Sequence, residues 1–185
     1  IAYMEATYDD VFYRYFDTAS DTLGSEVTVF AGATFTIGAS STISITKAVG
    51  GNIYIAYDGD GGTEKGFYRS TDNGGSFGSR SDMTEGADYW ILQPGNYADT
   101  QDIDCIFWDR SADEISLKTY DDSADSWSEA SIATTMVDVA TSSAEPQFSA
   151  VTRKSDGHII LAAWNNRDTA TADLKMWDID GSGSI

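Results

Sequence analysis

The sequence predicts an all-β protein built from repeated four-stranded antiparallel units, and three observations predict it. A turn of fixed shape recurs: Ser70-Thr71-Asp72-Asn73-Gly74-Gly75-Ser76-Phe77, then Tyr120-x-Asp122-x-Ala124-x-x-Trp127, with Phe16-x-Thr18-x-Ser20-x-x-Leu23 as a weaker copy. The closing residues Leu23, Phe77 and Trp127 lie 54 and 50 residues apart, a period that marks a repeat architecture. Short runs rich in Ile, Tyr, Phe, Trp and Thr, bounded by Gly, Asp, Asn and Ser, surround each turn and read as strands. No window of a dozen residues carries a 3.6-residue apolar period, so almost no helix is expected.

The elements follow in order. Ile1–Glu5 and Val11–Phe16 open the chain as a hairpin, and Val27–Phe30 follows the first turn. Thr42–Thr46, Asn52–Asp58, Gly66–Arg69 and the short Gly78–Arg80 make a second set. Tyr89–Leu92, Ile103–Asp109, Ile115–Tyr120 and Ser131–Ala133 make a third, and Gln147–Thr152, His158–Asn165 and Leu174–Asp178 a fourth. In three copies an aromatic followed by Asp or Asn closes the second strand: Tyr57-Asp58, Trp108-Asp109 and Trp164-Asn165. Four-stranded units stacked radially are the blades of a β-propeller. Residues 1–185 therefore read as a single propeller domain or fragment, with approximate blades 1–38, 39–86, 87–140 and 141–185. That is about three and a half to four blades, expected to be part of a larger propeller. The rival is a small closed ring of four, or blades completed by another copy.

The turn Ser70–Phe77 resembles an Asp box, the motif between the third and fourth blade strands of sialidase-like (BNR-repeat) β-propeller proteins. The repeat pattern covers most of the chain, and Ser70–Phe77 carries the motif itself. The resemblance implies structural roles: Asp72 binding amides of its own turn, Gly74 supplying an unusual backbone angle, and Phe77 packing between sheets, with Ser70 opening the motif. It assigns the same roles to Asp122 and Trp127, although Ala124 stands where the glycine belongs. Asp boxes specify fold and leave activity open.

Charge narrows the partners. Thirty acidic residues against 11 basic ones give a net charge of −19, which argues against a nucleic-acid or anionic-membrane surface. Aspartates are also favoured in turns, which accounts for many of them. The lone Cys105 lies within an apolar run and reads as a small buried hydrophobe, so no intrachain disulfide forms. There is no apolar stretch long enough to span a bilayer.

No catalytic set stands out. The sialidase resemblance implies an arginine cluster, a Tyr–Glu pair and an acid/base Asp. The six arginines are Arg14, Arg69, Arg80, Arg110, Arg153 and Arg167, and the Arg-Ile-Pro signature of the family is missing. Arg14 and Arg69 occupy matching places on third strands. His158 follows Gly157 in a hairpin and reads as a turn residue. No cofactor is required, but two acidic loops suit calcium, which takes oxygen ligands on a turning backbone. These are Asp58, Asp60 and Glu64 in one and Asp178 and Asp180 in the other. Sugars stack on exposed aromatics, so the insertion around Trp90, Asn96, Tyr97 and Asp99 is the candidate glycan contact. The expected protein is a non-catalytic recognition or structural module, extracellular, at a cell surface or on a virion. Its expected partners are glycans or other protein subunits within a larger chain or assembly, without nucleic acid or membrane insertion. The alternative is a segment of a sialidase-type exo-glycosidase whose catalytic residues lie partly outside this chain.

Overall fold

A computed structural model describes residues 1–5, 10–32, 42–59, 65–83, 89–109, 111–135, 147–164 and 174–180. Among them are 14 strands and no helix. The strands are β1 (Ala2–Glu5), β2 (Asp10–Asp17), β3 (Thr22–Ala31), β4 (Thr42–Lys47), β5 (Ile53–Asp58), β6 (Lys65–Ser70) and β7 (Gly78–Ser79). They continue as β8 (Trp90–Pro94), β9 (Ile103–Asp109), β10 (Glu114–Asp121), β11 (Ser126–Thr134), β12 (Gln147–Thr152), β13 (Ile159–Trp164) and β14 (Leu174–Ile179). They form four antiparallel sheets, each a simple meander: β1-β2-β3, β4-β5-β6-β7, β8-β9-β10-β11 and β12-β13-β14. The fold is all-β.

The chain divides into two compact units, Ile1–Ala87 and Asp88–Ile185. In the first, β1–β3 lies face to face with β4–β7. Val11, Tyr13 and Val29 meet Ile53, Ile55 and Tyr57, with Ala2, Met4, Ile43, Tyr68 and Phe77 packed around them. Phe30 stacks on Tyr57 with ring centroids 5.4 Å apart. In the second unit, β8–β11 lies against β12–β14 in the same way. Ile106, Trp108, Ile115 and Leu117 meet Ile159, Leu161, Ala163 and Ile179, with Phe148 and Trp177 alongside.

Cross-strand register shows that the two units obey one rule. Ile53, Ile103 and Ile159 stand opposite Ser70, Tyr120 and Ile179, which makes those three second-strand isoleucines equivalent. In each unit the later sheet then presents its first, third and fifth second-strand residues: Ile53, Ile55 and Tyr57, or Ile159, Leu161 and Ala163. The earlier sheet presents the opposite set, Ala2 and Met4 or Ile106 and Trp108. Strand side chains alternate between faces, so a slip of one residue would reverse every one of them.

Register also corrects two sequence alignments. Tyr57 is equivalent to Phe107, and Trp108 to Asp58, so the aromatic–acid pairing of the copies is one residue out. Arg14 lies opposite Glu26, and Lys118 lies opposite Glu129. The structural counterpart of Arg14 is thus Lys118, whereas Arg69 lies opposite Tyr54, one step further along. Adjacent strand residues point to opposite faces, so Arg14 and Arg69 share no repeat role.

Candidate functional site

The turn Ser70–Phe77 is a closed hydrogen-bonded knot. Asp72 Oδ1 accepts from Ser70 Oγ at 2.7 Å and from the Ser76 backbone N–H at 2.9 Å, while Oδ2 accepts from Ser76 Oγ at 2.7 Å. Ser70 Oγ in turn accepts the Gly74 N–H at 2.8 Å. These donors favour the carboxylate, and hold the Asp72 pKa down at about 2. Gly74 sits at φ +91°, and an added Cβ would stand 2.3 Å from the Tyr13 ring. Phe77 tilts against Tyr13 with centroids 5.3 Å apart, which ties the turn to the neighbouring sheet of its unit. The Asp72 carboxylate and the Ser70 and Ser76 hydroxyls are thus all turned to local structure.

The second copy uses a different carboxylate from the one the motif indicates, and the first, which has Thr18 at the motif position, uses the residue before it. Asp121, not Asp122, accepts from the Ala124 N–H and Ser123 Oγ, both at 2.8 Å. Asp122 instead gives its backbone N–H to Asp102 Oδ1 at 2.9 Å. Asp17 does the same work in the first copy, accepting from the Ala19 N–H and Ser20 Oγ. Asp109 repeats the arrangement, accepting from the Ser111 N–H, Ser111 Oγ and Ala112 N–H. Each of these turns ends on an aspartate with positive φ: Asp21 at 55°, Asp125 at 52° and Asp113 at 55°. The recurring hairpin is therefore Asp-x-x-x-Asp. Its first carboxylate caps the turn, and its second takes the left-handed conformation that Asp tolerates better than most residues. Trp127 packs on Tyr120, its partner across the hairpin, with centroids 5.0 Å apart. The shared spacing was legible in the sequence, but it was framed on the wrong residue.

The candidate glycan residues do not present a sugar platform. Trp90 is 5% exposed and lies parallel to Phe107, centroids 6.2 Å apart and planes at 6°. Tyr97 folds back over Gly95, where a Cβ would come within 2.7 Å of its ring. Its hydroxyl donates to Asp104 Oδ1 at 2.5 Å and lies 3.1 Å from Thr119 Oγ1. Asn96 is exposed, but its Nδ2 donates to the Asp156 carbonyl at 2.9 Å. Asp99 caps its own loop by accepting the Gln101 N–H at 3.0 Å. The insertion is thus a plug tied to the sheet.

What the plug covers is a buried polar cluster. Asp104 is 2% exposed and lies between Gln93 and Thr119 across the sheet. Thr119 Oγ1 donates to it at 3.0 Å. Burial pushes the Asp104 carboxyl up to about 6, against the pull of those two hydroxyl donors. Gln93 bridges to the next sheet of its unit, giving Nε2–H to the Ala150 carbonyl and accepting from Thr152 Oγ1. A raised carboxyl pKa is a feature of acid–base sites, but such a site must reach substrate. Asp104 is sealed by Tyr97, so the cluster secures one end of the sheet interface. Lys118 is likewise buried, held by Glu129 at 3.0 Å and lying 4.5 Å over the centre of the Phe107 ring. Burial also pushes up the Cys105 thiol, which is 0% exposed.

The acidic loops differ from calcium cradles in the part that is described. Asp58 is fully buried, and Asp60 and Glu64 lie outside the described residues. Asp178 is held by two side chains: its Oδ2 takes Arg153 Nη1 at 3.1 Å and its Oδ1 lies 2.5 Å from His158 Nδ1. Arg153 also grips Asp156 at 2.8 Å. Both Asp178 and Asp156 are shifted down by these partners. A site that already carries a guanidinium repels a second cation, which sets Asp178 against the calcium reading. Among the described residues no group of three or more His, Cys, Asp and Glu side chains could hold a metal. His158 is therefore a hydrogen-bond partner of Asp178 in addition to a turn residue.

A cleft of about 420 Å³ opens in the second unit. Ile132, Ala133 and Thr134 of β11 line one side, and Lys175, Met176 and Trp177 of β14 the other. Sequence reading did not find it, because its walls come from strands some 40 residues apart. No helix of the described residues is long and apolar enough to cross a membrane.

No protein-family model and no curated protein matches the chain. Among solved structures, it is similar to a triple arginine-to-alanine variant of AofleA from Arthrobotrys oligospora. The TM-score is 0.50 and the identity 13%, over 97% of this chain and 56% of that one. The chain thus spans little more than half the length of that neighbour, and the likeness concerns the all-β fold alone.

Proposed function

We propose that this chain is a non-catalytic recognition or structural module of β-propeller type, its four meander sheets acting as blades. The single observation that carries the reading is the shared packing rule. In both units the same register positions of an earlier sheet meet the same positions of a later one. Repetition of one such step generates a ring or an open stack, because each repeat offers its neighbour the surface it received. The Asp-box turn belongs to this reading as a device that locks a third strand to a fourth. The polar side chains support the non-catalytic part. Asp17, Asp72, Asp109 and Asp121 cap turns, Asp104 is sealed, and Asp178 is paired. The net charge of −19 favours partners other than nucleic acid, and the acidic, lysine-poor composition together with the repeats supports an extracellular, cell-surface or virion setting.

The test is direct. The protein is assayed against fluorogenic sialosides and a panel of other glycosides, then on a glycan array. The reading expects no turnover above the buffer rate. Saturable hydrolysis that survives repurification would overturn it in favour of the exo-glycosidase alternative. Array binding without turnover would make glycans the ligand class and leave the module reading intact.

A further inference from the structure

The turn Ser70–Phe77 holds a reactive pair that its structural role does not explain. Of the five asparagines in the chain, only Asn73 precedes a glycine. Asn73 is exposed and stands at φ 59°, and Gly74 follows it, buried, at φ +91°. An asparagine in that place is open to attack by its own chain, because a neighbour without a Cβ leaves the backbone nitrogen free to reach the side-chain carbonyl carbon. The same nitrogen donates to Ser70 Oγ at 2.8 Å, and Asn73 Oδ1 accepts from Lys47 Nζ at 3.3 Å. Both reacting groups are therefore adjacent, and both are held.

The bond to Ser70 controls access to the reaction. To react, the Gly74 nitrogen must lose its proton and turn toward Asn73 Cγ. A nitrogen that donates to Ser70 Oγ does neither. Ser70 is itself fixed, since its hydroxyl proton goes to Asp72 Oδ1 at 2.7 Å, and Asp72 is fixed in turn by Ser76. The second unit offers a comparison in Asp156-Gly157, where Gly157 has φ +78° and gives its N–H to the Arg153 carbonyl at 2.8 Å. There Arg153 also holds Asp156 as a carboxylate, whose charge resists attack at its carbon. Asp156 is closed twice over, whereas at Asn73 the hydrogen bonds of the turn are the restraint.

We propose that Asn73 is a site of covalent self-modification, a deamidation that Gly74 carries out when the Ser70–Phe77 turn opens. The Gly74 nitrogen forms a bond to Asn73 Cγ. The side-chain amide takes up the proton Gly74 has lost and leaves as ammonia, and a five-membered imide remains. Water then opens the imide at either carbonyl, leaving an aspartyl or isoaspartyl residue at position 73. Nothing is oxidised or reduced. The isoaspartyl product lengthens the backbone by one carbon ahead of Gly74, which displaces that glycine from its bond to Ser70. The turn that joins β6 to β7 and carries Phe77 to Tyr13 then stays loosened. Modification at position 73 is thus a one-way record of turn opening, and it is independent of the module reading.

The 185-residue protein is incubated at mildly alkaline pH, folded and in guanidinium, and its tryptic peptide Ser70–Arg80 is followed over time. Mass reports the amide-to-acid change, and chromatography separates the isoaspartyl form. Conversion is expected in the unfolded chain and at least about tenfold more slowly in the folded one. Sub-denaturing guanidinium should raise the folded rate in proportion to hydrogen exchange of the Gly74 amide, as reaction through a rapidly closing open state requires. Ser70→Ala, checked for folding by circular dichroism, removes the acceptor and should raise the folded rate roughly two- to tenfold. Gly74→Ala, read in the unfolded chain where stability plays no part, should slow conversion at least about tenfold, because a Cβ obstructs the nitrogen. Equal rates in the folded and unfolded protein, no conversion at Asn73 in the unfolded chain, or a folded rate that ignores Gly74 exchange overturns the proposal. A folded Ser70→Ala variant that converts at the parent rate overturns it as well.

Discussion

Asp104 provides a stringent test of how the second unit is held together. Replacing it with Asn keeps an oxygen for the Tyr97 and Thr119 hydroxyls while removing the titrating group. The folded protein raises this carboxyl from 3.8 to about 6. Between those values the native state binds more protons than the unfolded chain, so the group's contribution to stability falls as pH rises. The full penalty of ionising it in the fold is about 3 kcal/mol, at 1.36 kcal/mol per pH unit of displacement. The stability difference between Asp104→Asn and the parent should therefore change across pH 4 to 7. Relative to its value at pH 4, the variant should gain about 2–3 kcal/mol by pH 7.5. Guanidinium unfolding of both proteins at half-unit pH intervals measures this, and the other acids cancel in the difference. A difference flat across that range would refute the burial of an ionisable Asp104. A difference moving the other way would mean that Tyr97 and Thr119 outweigh desolvation.

Other outcomes follow from the same contacts. Gly74→Ala should destabilise by about 2–5 kcal/mol, combining roughly 1–2 for a left-handed backbone with about 1–3 for overpacking against Tyr13. Thermal unfolding checks this, and a loss below about 0.5 kcal/mol would contradict the geometry, since ordinary surface changes reach that much. Asp121→Ala should lower the melting temperature, because two donors at 2.8 Å lose their acceptor. An unchanged melting curve would return the capping role to Asp122. Asp72 has a depressed pKa, so its stabilising contribution is present above the ordinary carboxylate pKa and is lost as pH falls toward about 2. Asp72→Asn should flatten part of the acid-unfolding profile, and an unaltered profile would count against the turn network.

Much of the architecture was legible because strand formation here is local. Ile103–Asp109 and Gln147–Thr152 were readable to the residue, since a short run of apolar and β-favouring residues, flanked by Asp102 and Arg110 or by Pro146 and Arg153, defines a strand within its own neighbourhood. Strand β3 runs Thr22–Ala31, longer than its apolar part, because cross-strand pairing with β2 carries polar residues such as Thr22 and Glu26 into the ladder. The turns were legible in spacing but not in frame. The aligned aromatics favoured Asp122, whereas the geometry of a four-residue hairpin favours the carboxylate at the strand end, Asp121. Trp90 and Tyr97 failed as surface residues for a similar reason. Their loop composition matched a binding loop, but burial depends on Phe107, Gly95 and Asp104, which sequence proximity does not weigh. The cleft between β11 and β14 was invisible, because its two walls meet only once the fold brings the strands together.

The account depends most on the equivalence of the four sheets as blades about a common axis. An experimental electron-density map of the protein tests that equivalence directly. The account predicts that the first strand of each complete meander lies nearest the axis and that Tyr57, Phe107 and Ala163 occupy superposable places in successive sheets. A map in which the sheets pair off as independent two-layer sandwiches, or in which those three residues point in unrelated directions, would contradict it.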